Sequence, residues 1–275
     1  MLSEPETGIE TTRRGQLTGS AAEVYETFFL PALFAQFADP VAAAAGAAPG
    51  KSFLDVACGT GVLARAARSR AGIGAHVAGL DCNPGMLAVA RARAPEIDWY
   101  EGRAEALPFP DAAFDAVASQ FGIMFFEDRV AALREMWRVL APGGGLAVAV
   151  WDAVETSPGY AAMLALLTRI FGPRTASALR APFVLGDRAA FAALFPAAGI
   201  PEVTVETRPG TARFPSIEDW VRTDVKGWTL ADLIDAEGYV RLRQAAARDL
   251  AEFAAPDGTV AFAAPIHLAW AVKPA

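Results

Sequence analysis

The segment 53–64 constrains this chain more than any other stretch of its sequence. An apolar run ends in Asp55-Val56, small residues follow from Ala57 to Gly61, and a helical pattern begins at Val62. This order predicts a buried strand and then a tight turn whose glycines let a ligand approach the backbone. A second acid, Asp81, closes the next apolar run, where an acid can accept both hydroxyls of a ribose. The sequence therefore predicts a nucleoside-containing ligand.

Charge separates the two nucleoside classes that this turn could serve. Gly59-x-Gly61-x-x-Ala64, with Asp81 after the second strand, also satisfies the fingerprint of dinucleotide-binding oxidoreductases. However, Asp55 precedes the turn and would repel an anionic pyrophosphate, whereas it would attract the sulfonium and ammonium groups of S-adenosylmethionine. Charge thus favours S-adenosylmethionine, with Asp55 as a simple turn or helix-capping acid as the alternative.

Four sequence segments, in their order along the chain, resemble the segments of one family of enzymes. They are 54–61, 79–87, 104–109 together with 114–117, and 133–144. As a set they are similar to the class I S-adenosylmethionine-dependent methyltransferases, in the type 11 group that includes the ubiquinone and menaquinone biosynthesis enzymes. The likeness covers roughly residues 50 to 151.

The resemblance implies an α/β fold with a Rossmann-like, doubly wound sheet of seven strands, the last of them antiparallel, under a helical lid or insert. The chain then divides into four parts: a flexible tail at 1–16, N-terminal lid helices at 17–48, the S-adenosylmethionine-binding core at 49–155, and at 156–275 the rest of the sheet with a helical substrate cap at about 216–255.

Strand-like and helical patterns alternate through the first half, as in a mostly parallel sheet covered on both faces. Asn83, Asp128 and Asp187 each precede a helical pattern and are predicted to cap it. The predicted strands are 52–56, 76–80, 99–101, 113–119 and 146–150, followed by 201–207, 211–214 and a closing segment at 259–272.

Proline and glycine predict where several helices stop. Pro31 should end the first lid helix early, and Pro142 with the three glycines after it should end the helix that Asp128 begins. The helical segment 216–253 should be interrupted at Gly227 and Gly238.

The resemblance also implies a role for each cofactor-binding residue. Asp55 would hold the ammonium end of the cofactor, Asp81 the ribose, and Gln120 would face its methyl group or its amino-acid end. Two positions depart from the family, since Ala57 stands where glycine is frequent and Arg103 where many relatives have an acid. The remaining predicted contacts are the backbones of Ala57, Gly59 and Gly61 to the methionine part, and Cys82, Met86, Ala104 and Glu105 to the adenine.

Methyl transfer is an in-line displacement, so positioning and desolvation can carry most of the catalysis. A general base is required only if the acceptor loses a proton. Candidate catalytic residues are therefore few: Trp151, Asp152, Tyr25 and His267, of which His267 is better explained as a core histidine and His76 as structural. Candidate substrate-binding residues are Phe121, Tyr160, Asp224 and Trp228.

Composition excludes several other functions. A net charge of -7 and a sequence pI near 5.0 argue against nucleic-acid binding, which needs clustered Lys and Arg. The two cysteines, Cys58 and Cys82, are predicted to be small buried thiols rather than a disulfide framework or metal ligands. With no secretory signal and no long enough apolar span at 261–272, the protein is expected to be cytoplasmic, as a monomer or a homodimer.

The sequence thus predicts methyl transfer from S-adenosyl-L-methionine, with S-adenosyl-L-homocysteine as product, to a small, largely apolar acceptor of aromatic or polyketide-like character. Neither the acceptor nor the methylated atom can be identified from the sequence. Three alternatives stay open: an enzyme of the same fold with other chemistry, such as a cyclase or decarboxylase, an NAD-dependent oxidoreductase, and a non-enzymatic sensor.

Overall fold

A computed structural model describes residues 19–226, 230 and 233–275 of the chain. Within these residues the core is a seven-stranded sheet of order β3-β2-β1-β4-β5-β9-β6, and β7 and β8 form a separate antiparallel pair. The strands are β1 (Phe53–Val56), β2 (Val77–Asp81), β3 (Asp98–Glu101), β4 (Phe114–Gln120), β5 (Leu140–Trp151), β6 (Thr204–Arg208), β7 (Thr211–Phe214), β8 (Val260–Ala263) and β9 (Ile266–Val272).

The sheet has the predicted arrangement. Strands β1 to β5 pair in parallel, and β9 runs antiparallel to both β5 and β6. Every residue of β1 and of β2 is buried, as expected for central parallel strands covered on both faces. Strand order reverses at β1, so the crevice outside the carboxyl ends of β1, β2 and β4 is where a ligand is expected.

The helices pack against the sheet and against one another. Asn83, Asp128 and Asp187 accept backbone N–H groups at the starts of α4, α5 and α8, so all three predicted caps are confirmed. The helices are α1 (Gly19–Val24), α2 (Ala35–Ala44), α3 (Val62–Ala71), α4 (Pro84–Arg93), α5 (Arg129–Val139), α6 (Pro158–Phe171), α7 (Pro173–Arg180), α8 (Arg188–Ala197), α9 (Ile217–Lys226) and α10 (Ala236–Asp249).

Pro31 does not end the first helix, contrary to the prediction. The chain continues from α1 through a π-helical segment, Tyr25–Phe34, directly into α2. Proline in an α-helix lacks an N–H and pushes its ring into the preceding turn. The wider π-helical turn relieves that clash, because Ala35 N–H reaches back five residues to Leu30 O.

Two predicted strand boundaries were also wrong. Strand β5 begins at Leu140, directly after α5, because Pro142 and its glycines form an irregularity inside the strand: Phe114 pairs with Leu140, and Ala116 already with Gly145. The closing segment is two strands, since Pro265 has no N–H for a continuous ladder and β8 pairs with β7 instead.

Gly238 lies in the first turn of α10, where its N–H donates to Asp235, so it does not interrupt the helix. The predicted interruption at Gly227 and the predicted tail at 1–16 lie outside the described residues.

One described helical stretch, Ala22–Ala44, is long and apolar enough to cross a membrane by length and composition. Half of its most apolar window is buried inside the protein. Phe37 and Val41 in this stretch belong to the main hydrophobic core. Such burial is typical of a core helix in a globular fold.

Candidate functional site

Asp55 is buried beneath the glycine-rich turn after β1. Its Oδ2 accepts the N–H of Ala64 in the first turn of α3 at 2.9 Å, whereas its Oδ1 is buried with no hydrogen-bond partner. Burial raises the pKa of Asp55 to about 8, against a smaller lowering by the Ala64 N–H and by Arg65. An unsatisfied buried carboxyl oxygen is costly on its own, and a cationic ligand group would offset that cost.

Asp81 joins the turns that follow β1 and β2. Its Oδ2 accepts the N–H of Gly59 and its Oδ1 the N–H of Asn83, each at 2.8 Å. Burial raises its pKa, and the N–H groups of Asn83 and Gly59 act in the opposite direction. A carboxylate oxygen can accept two hydrogen bonds, so both oxygens keep capacity for ribose hydroxyls. The positioning of both turns by Asp81 was not predicted from the sequence.

The turn itself has three residues with positive φ: Ala57 at 58°, Gly59 at 54° and Gly61 at 88°. A Cβ at Gly59 would meet nothing within 4 Å, so this glycine borders open space. A Cβ at Gly61 would instead overlap the indole of Trp99 on the edge strand β3. Gly59 thus leaves room for a ligand, whereas Gly61 is required by packing. No pattern in the sequence predicts this contact, because Trp99 and Gly61 are distant in sequence.

Tyr25 brings the lid to the two acids. Burial of its phenol raises the pKa of Tyr25 above the ordinary range, and the negative charges of the neighbouring Asp81, Glu26 and Asp55 raise it further. The next residue, Glu26, pairs with Arg65 of α3 at 3.1 Å. The lid segment is thereby held over the carboxyl ends of β1 and β2. Sequence reasoning identified Tyr25 but not Glu26.

The residues predicted around the adenine occupy different environments. Ala104 and Met86 are buried, and Cys82 is exposed, so the prediction of a buried thiol holds for Cys58 only. Cys82 is exposed because it follows the last residue of β2 and begins the turn into α4.

Glu105 holds the loop that leads into α5. Its Oε1 accepts the N–H groups of Glu127 at 3.0 Å and Asp128 at 3.4 Å. Its other oxygen pairs with Arg103 at 3.4 Å, and Arg103 also pairs with Glu127 at 2.8 Å. The unusual arginine therefore belongs to a local ion-pair network, and a contact between Glu105 and adenine stays a prediction.

Gln120, the last residue of β4, connects the sheet to the lid. Its Nε2 donates to Phe34 O at 3.2 Å, and its Oε1 is buried with no partner. Because Gln120 Oε1 has no hydrogen-bond partner among the described residues, it can accept a hydrogen bond from a ligand.

A continuous cluster of aromatic rings connects the region of Asp55 and Asp81 with an apolar cavity. Tyr25 stacks on Phe34 with ring centroids 5.2 Å apart, and Phe34 contacts Phe121 at 5.3 Å and Trp151 at 5.7 Å. Phe121 and Trp151 stack at 4.3 Å with an interplanar angle of 16°. The Phe121 backbone has a φ of 57°, so this ring is placed by a strained turn.

The apolar cavity lies under the lid, with about 410 Å³ of space unfilled by protein atoms when the part open to solvent is included. Of the candidate residues, Trp151, Tyr160 and Asp224 line it, and Trp228 lies outside the described residues. Its full lining is Phe29, Leu33, Phe34, Trp151, Tyr160, Ala178, Leu179, Pro182, Phe183, Asp224 and Leu230.

Asp224 is the one ionisable carboxyl group in that lining. It is 3% exposed, and its Oδ2 has no hydrogen-bond partner. Burial raises its pKa to about 8, although the Trp220 indole and the Tyr160 hydroxyl act to lower it. Burial and the neighbouring Asp224 in turn raise the pKa of Tyr160 well above its usual value.

His267 and Asp152 are drawn together away from this cavity lining. His267 Nε2 lies 3.1 Å from Asp152 Oδ1 and 3.0 Å from Gly186 O, and its Nδ1 lies 3.0 Å from Thr207 Oγ1. Both ring nitrogens have partners, as expected for a structural histidine. His76 stays near the opposite end of the sheet, beside Asp98 at 3.3 Å. Over the described ranges no three His, Cys, Asp or Glu side chains are grouped to hold a metal.

The sheet order and the two buried acids at the ends of β1 and β2 define a Rossmann-like nucleoside-binding protein. Residues 54–148 match the methyltransferase domain family of type 11. This segment of the chain is therefore similar to the methyltransferase domain of S-adenosylmethionine-dependent enzymes.

Relatives and solved structures agree with this assignment. A demethylmenaquinone methyltransferase of Thermus thermophilus is 46% identical over 128 residues, which are 45% of this chain and 56% of that protein. The chain spans about half the length of the curated relatives it matches.

Two solved structures share the fold at low identity. Phosphoethanolamine N-methyltransferase 2 of Haemonchus contortus has a TM-score of 0.60 and 20% identity over 95% of this chain and 59% of that one. The [4+2]-cyclase SpnF has a TM-score of 0.52 and 20% identity over 87% of this chain and 81% of that one. At such identities the likeness concerns the fold alone.

Proposed function

We propose that this protein is an S-adenosylmethionine-dependent methyltransferase that acts on a small, largely apolar acceptor of aromatic or quinone-like character. The observation that carries the proposal is the aromatic cluster from Tyr25 through Phe34 to Trp151, which joins the two buried acids to the apolar cavity. A donor site and an acceptor site in direct contact are what group transfer requires. The name of the Thermus thermophilus relative supports a quinone-like acceptor.

The residues at the strand ends fit the cofactor. The unpartnered Oδ1 of Asp55 would take the ammonium group, Asp81 the ribose hydroxyls, and the open side of Gly59 would border the methionine part. When bound, S-adenosylmethionine supplies a methyl group on a positively charged sulfur. Proposed contacts that rest on the family resemblance are those of Ala57, Gly61, Cys82, Met86, Ala104, Glu105 and Gln120.

Catalysis by this chain would be mainly positional. Phe34, Phe121 and Trp151 would form one wall of the region where the two sites meet and keep water out of it, because their rings pack with centroids 4.3 to 5.7 Å apart. The Tyr25 hydroxyl stays protonated near the acids, so it can donate a hydrogen bond but is unsuited to act as a base at neutral pH. His267 is held by three neighbours and serves better to position β9.

The lid at 17–48 and the cap at about 216–255 would enclose the acceptor over the core at 49–155. The protein would act in the cytoplasm, as a monomer or homodimer, on a small molecule and not on nucleic acid. Its acidic net charge of -7 supports the last point.

Native mass spectrometry of the purified protein tests the cofactor assignment. We expect the mass of S-adenosylmethionine or S-adenosylhomocysteine, whereas a bound dinucleotide would overturn the proposal in favour of an oxidoreductase. Transfer of labelled methyl from S-adenosylmethionine to a panel of naphthols and naphthohydroquinones then tests the activity. Cofactor binding without transfer to any of them would instead favour the non-methylating alternative of the same fold.

A further inference from the structure

The wall that α6 and α9 contribute to the apolar cavity holds a polar group that the reaction itself does not need. Asp224 projects from α9 into the lining, next to Tyr160 of α6. Most other lining residues are aliphatic or aromatic, among them Phe29, Leu179 and Phe183. A carboxyl group in such surroundings costs stability unless something compensates it.

Among the residues that the structure describes, no compensating cation accounts for Asp224. The groups that shift its pKa are the burial itself, the Trp220 indole and the Tyr160 hydroxyl, and none of them is positively charged. Arg222, two residues earlier on α9, pairs with Asp219 at 2.6 Å and lies over the ring of Phe28. The carboxyl group is therefore not half of a structural ion pair with this arginine.

A purely structural hydrogen-bond network is also a poor explanation. Such networks normally satisfy their buried members. Here the Trp220 indole and the Tyr160 hydroxyl approach the carboxyl group as donors, yet Asp224 Oδ2 and Trp220 Nε1 each lack a partner at hydrogen-bond distance. An unsatisfied buried oxygen in the wall of a cavity indicates a ligand group that completes it.

We infer that Asp224, supported by Tyr160, is a specificity-determining residue that accepts a hydrogen bond from a hydroxyl group on the aromatic ring of the acceptor. The substrate class is thereby narrowed to ring-hydroxylated compounds such as phenols, naphthols and hydroquinones. The aromatic walls pack on the ring, and the single carboxyl fixes its orientation. This inference rests on the proposed function, because it assigns the cavity to the acceptor.

The cavity should discriminate between ligands with and without a hydroxyl group, because leaving the buried Asp224 oxygen without a hydrogen bond costs free energy. Above pH 8, where the titrations are made, Asp224 is ionised and can only accept hydrogen bonds. A hydroxyl then satisfies Asp224 Oδ2, whereas a methyl ether of the same ring brings only acceptors and leaves the carboxylate unsatisfied. Sites that hydrogen-bond a substrate hydroxyl reject analogues without it far more strongly than apolar pockets discriminate by size. We therefore expect 2-naphthol to bind at least about tenfold more tightly than 2-methoxynaphthalene.

Binding of these two probes, followed by quenching of tryptophan fluorescence, tests the inference with the wild-type protein alone. Equal affinities, or no binding of 2-naphthol, would overturn it. Tighter binding of 2-naphthylamine than of 2-naphthol would also overturn it, since the cavity would then select amines. Each titration is run with and without S-adenosylhomocysteine, so a failed cofactor site and a failed hydroxyl site give different results.

Two variants, Asp224→Asn and Tyr160→Phe, test which side chains cause the preference for 2-naphthol. We expect Asp224→Asn to reduce the naphthol preference to within about threefold, and Tyr160→Phe to reduce it partly. Glu218→Gln, an exposed change on the same helix, is the matched control and should keep the full preference. If Asp224→Asn binds S-adenosylhomocysteine normally and still prefers 2-naphthol as strongly as the wild type, another residue recognises the hydroxyl group.

Discussion

Two buried carboxyl groups have a pKa near 8: Asp55, in the crevice proposed for the cofactor (the cofactor crevice), and Asp224, in the cavity proposed for the acceptor (the acceptor cavity). The two groups are held in different ways. Asp55 is fixed by the backbone N–H of Ala64, nine residues further along the chain. Asp224 is surrounded by side chains from α6 and α9, with Tyr160 contributed from 64 positions away in sequence. Backbone atoms hold the first acid, and side-chain packing positions the second.

The difference extends to the rest of each site. Asp81 is likewise bound by backbone N–H groups, those of Gly59 and Asn83. The acceptor cavity instead collects residues from Phe29 to Leu230, and no local segment supplies it. We conclude that the cofactor crevice depends on turn geometry and the acceptor cavity on tertiary packing, and four predictions test this contrast.

The largest effect is expected for Asp81→Ala. The change removes the acceptor for two turns as well as two proposed ribose contacts, each worth about 1.5–3 kcal/mol to a charged group. We expect S-adenosylmethionine affinity to fall on the order of 100-fold, and at least tenfold, by isothermal titration calorimetry. Asp98→Ala, an exposed acid on β3, is the control and should bind normally. Unchanged affinity in Asp81→Ala would mean that the ribose lies elsewhere.

Two glycines in the same turn have different surroundings, so their substitution distinguishes an effect on packing from an effect on ligand access. Gly61→Ala would force a methyl group into Trp99, whereas Gly59→Ala meets only open space, and both residues have positive φ. Overpacking costs about 1–3 kcal/mol, so Gly61→Ala should lower the free energy of unfolding by about 2 kcal/mol more than Gly59→Ala. Urea denaturation measures both. Equal losses would remove the distinction between the two glycines.

Cofactor affinity should depend on pH through Asp55. Its pKa near 8 means that Asp55 is protonated in the free protein at pH 6, and an ammonium-bearing ligand favours the ionised form. Affinity should therefore rise by up to about tenfold per pH unit below pH 8 and then level off. In Asp55→Asn, whose side-chain oxygen can still accept the Ala64 N–H, this rise of affinity with pH should be absent. A wild-type affinity independent of pH would contradict the assignment of Asp55.

The smallest effect concerns stability at the acceptor cavity. Asp224 titrates near 4 in the unfolded chain and near 8 when folded, so its stabilising contribution is full below pH 4 and declines as the pH rises toward 8. Asp224→Asn removes this decline. Its melting temperature relative to wild type should rise by a few degrees between pH 5 and pH 8. Asp219→Asn is the control, and a pH-independent difference for Asp224→Asn would show that its side chain is solvated.

Local interactions explain which expectations were confirmed. The caps Asn83, Asp128 and Asp187 were predicted correctly because each bonds an N–H within three residues. The acids that follow the apolar runs were likewise readable, since a strand and its turn are contiguous in sequence.

The errors share the opposite cause. Pro31 was expected to stop a helix, but packing of Phe29 and Phe34 in the core maintains the segment as a π-helix. The ion pair between Glu26 and Arg65 joins residues 39 positions apart, and no spacing rule predicts it. Pro142 was expected to separate helix from strand, whereas pairing with β4 begins before it.

By itself the sequence determined the order of the strands and helices, the glycine-rich turn, and the two acids suited to a cationic nucleoside, because these depend on bonds between near neighbours. Only the tertiary structure decided that Gly61 serves Trp99, that Tyr25 reaches the acids, and that Asp224 lies in an aromatic cavity. Those features arise where side chains distant in sequence exclude water together, and such burial is a property of the folded molecule rather than of any one segment.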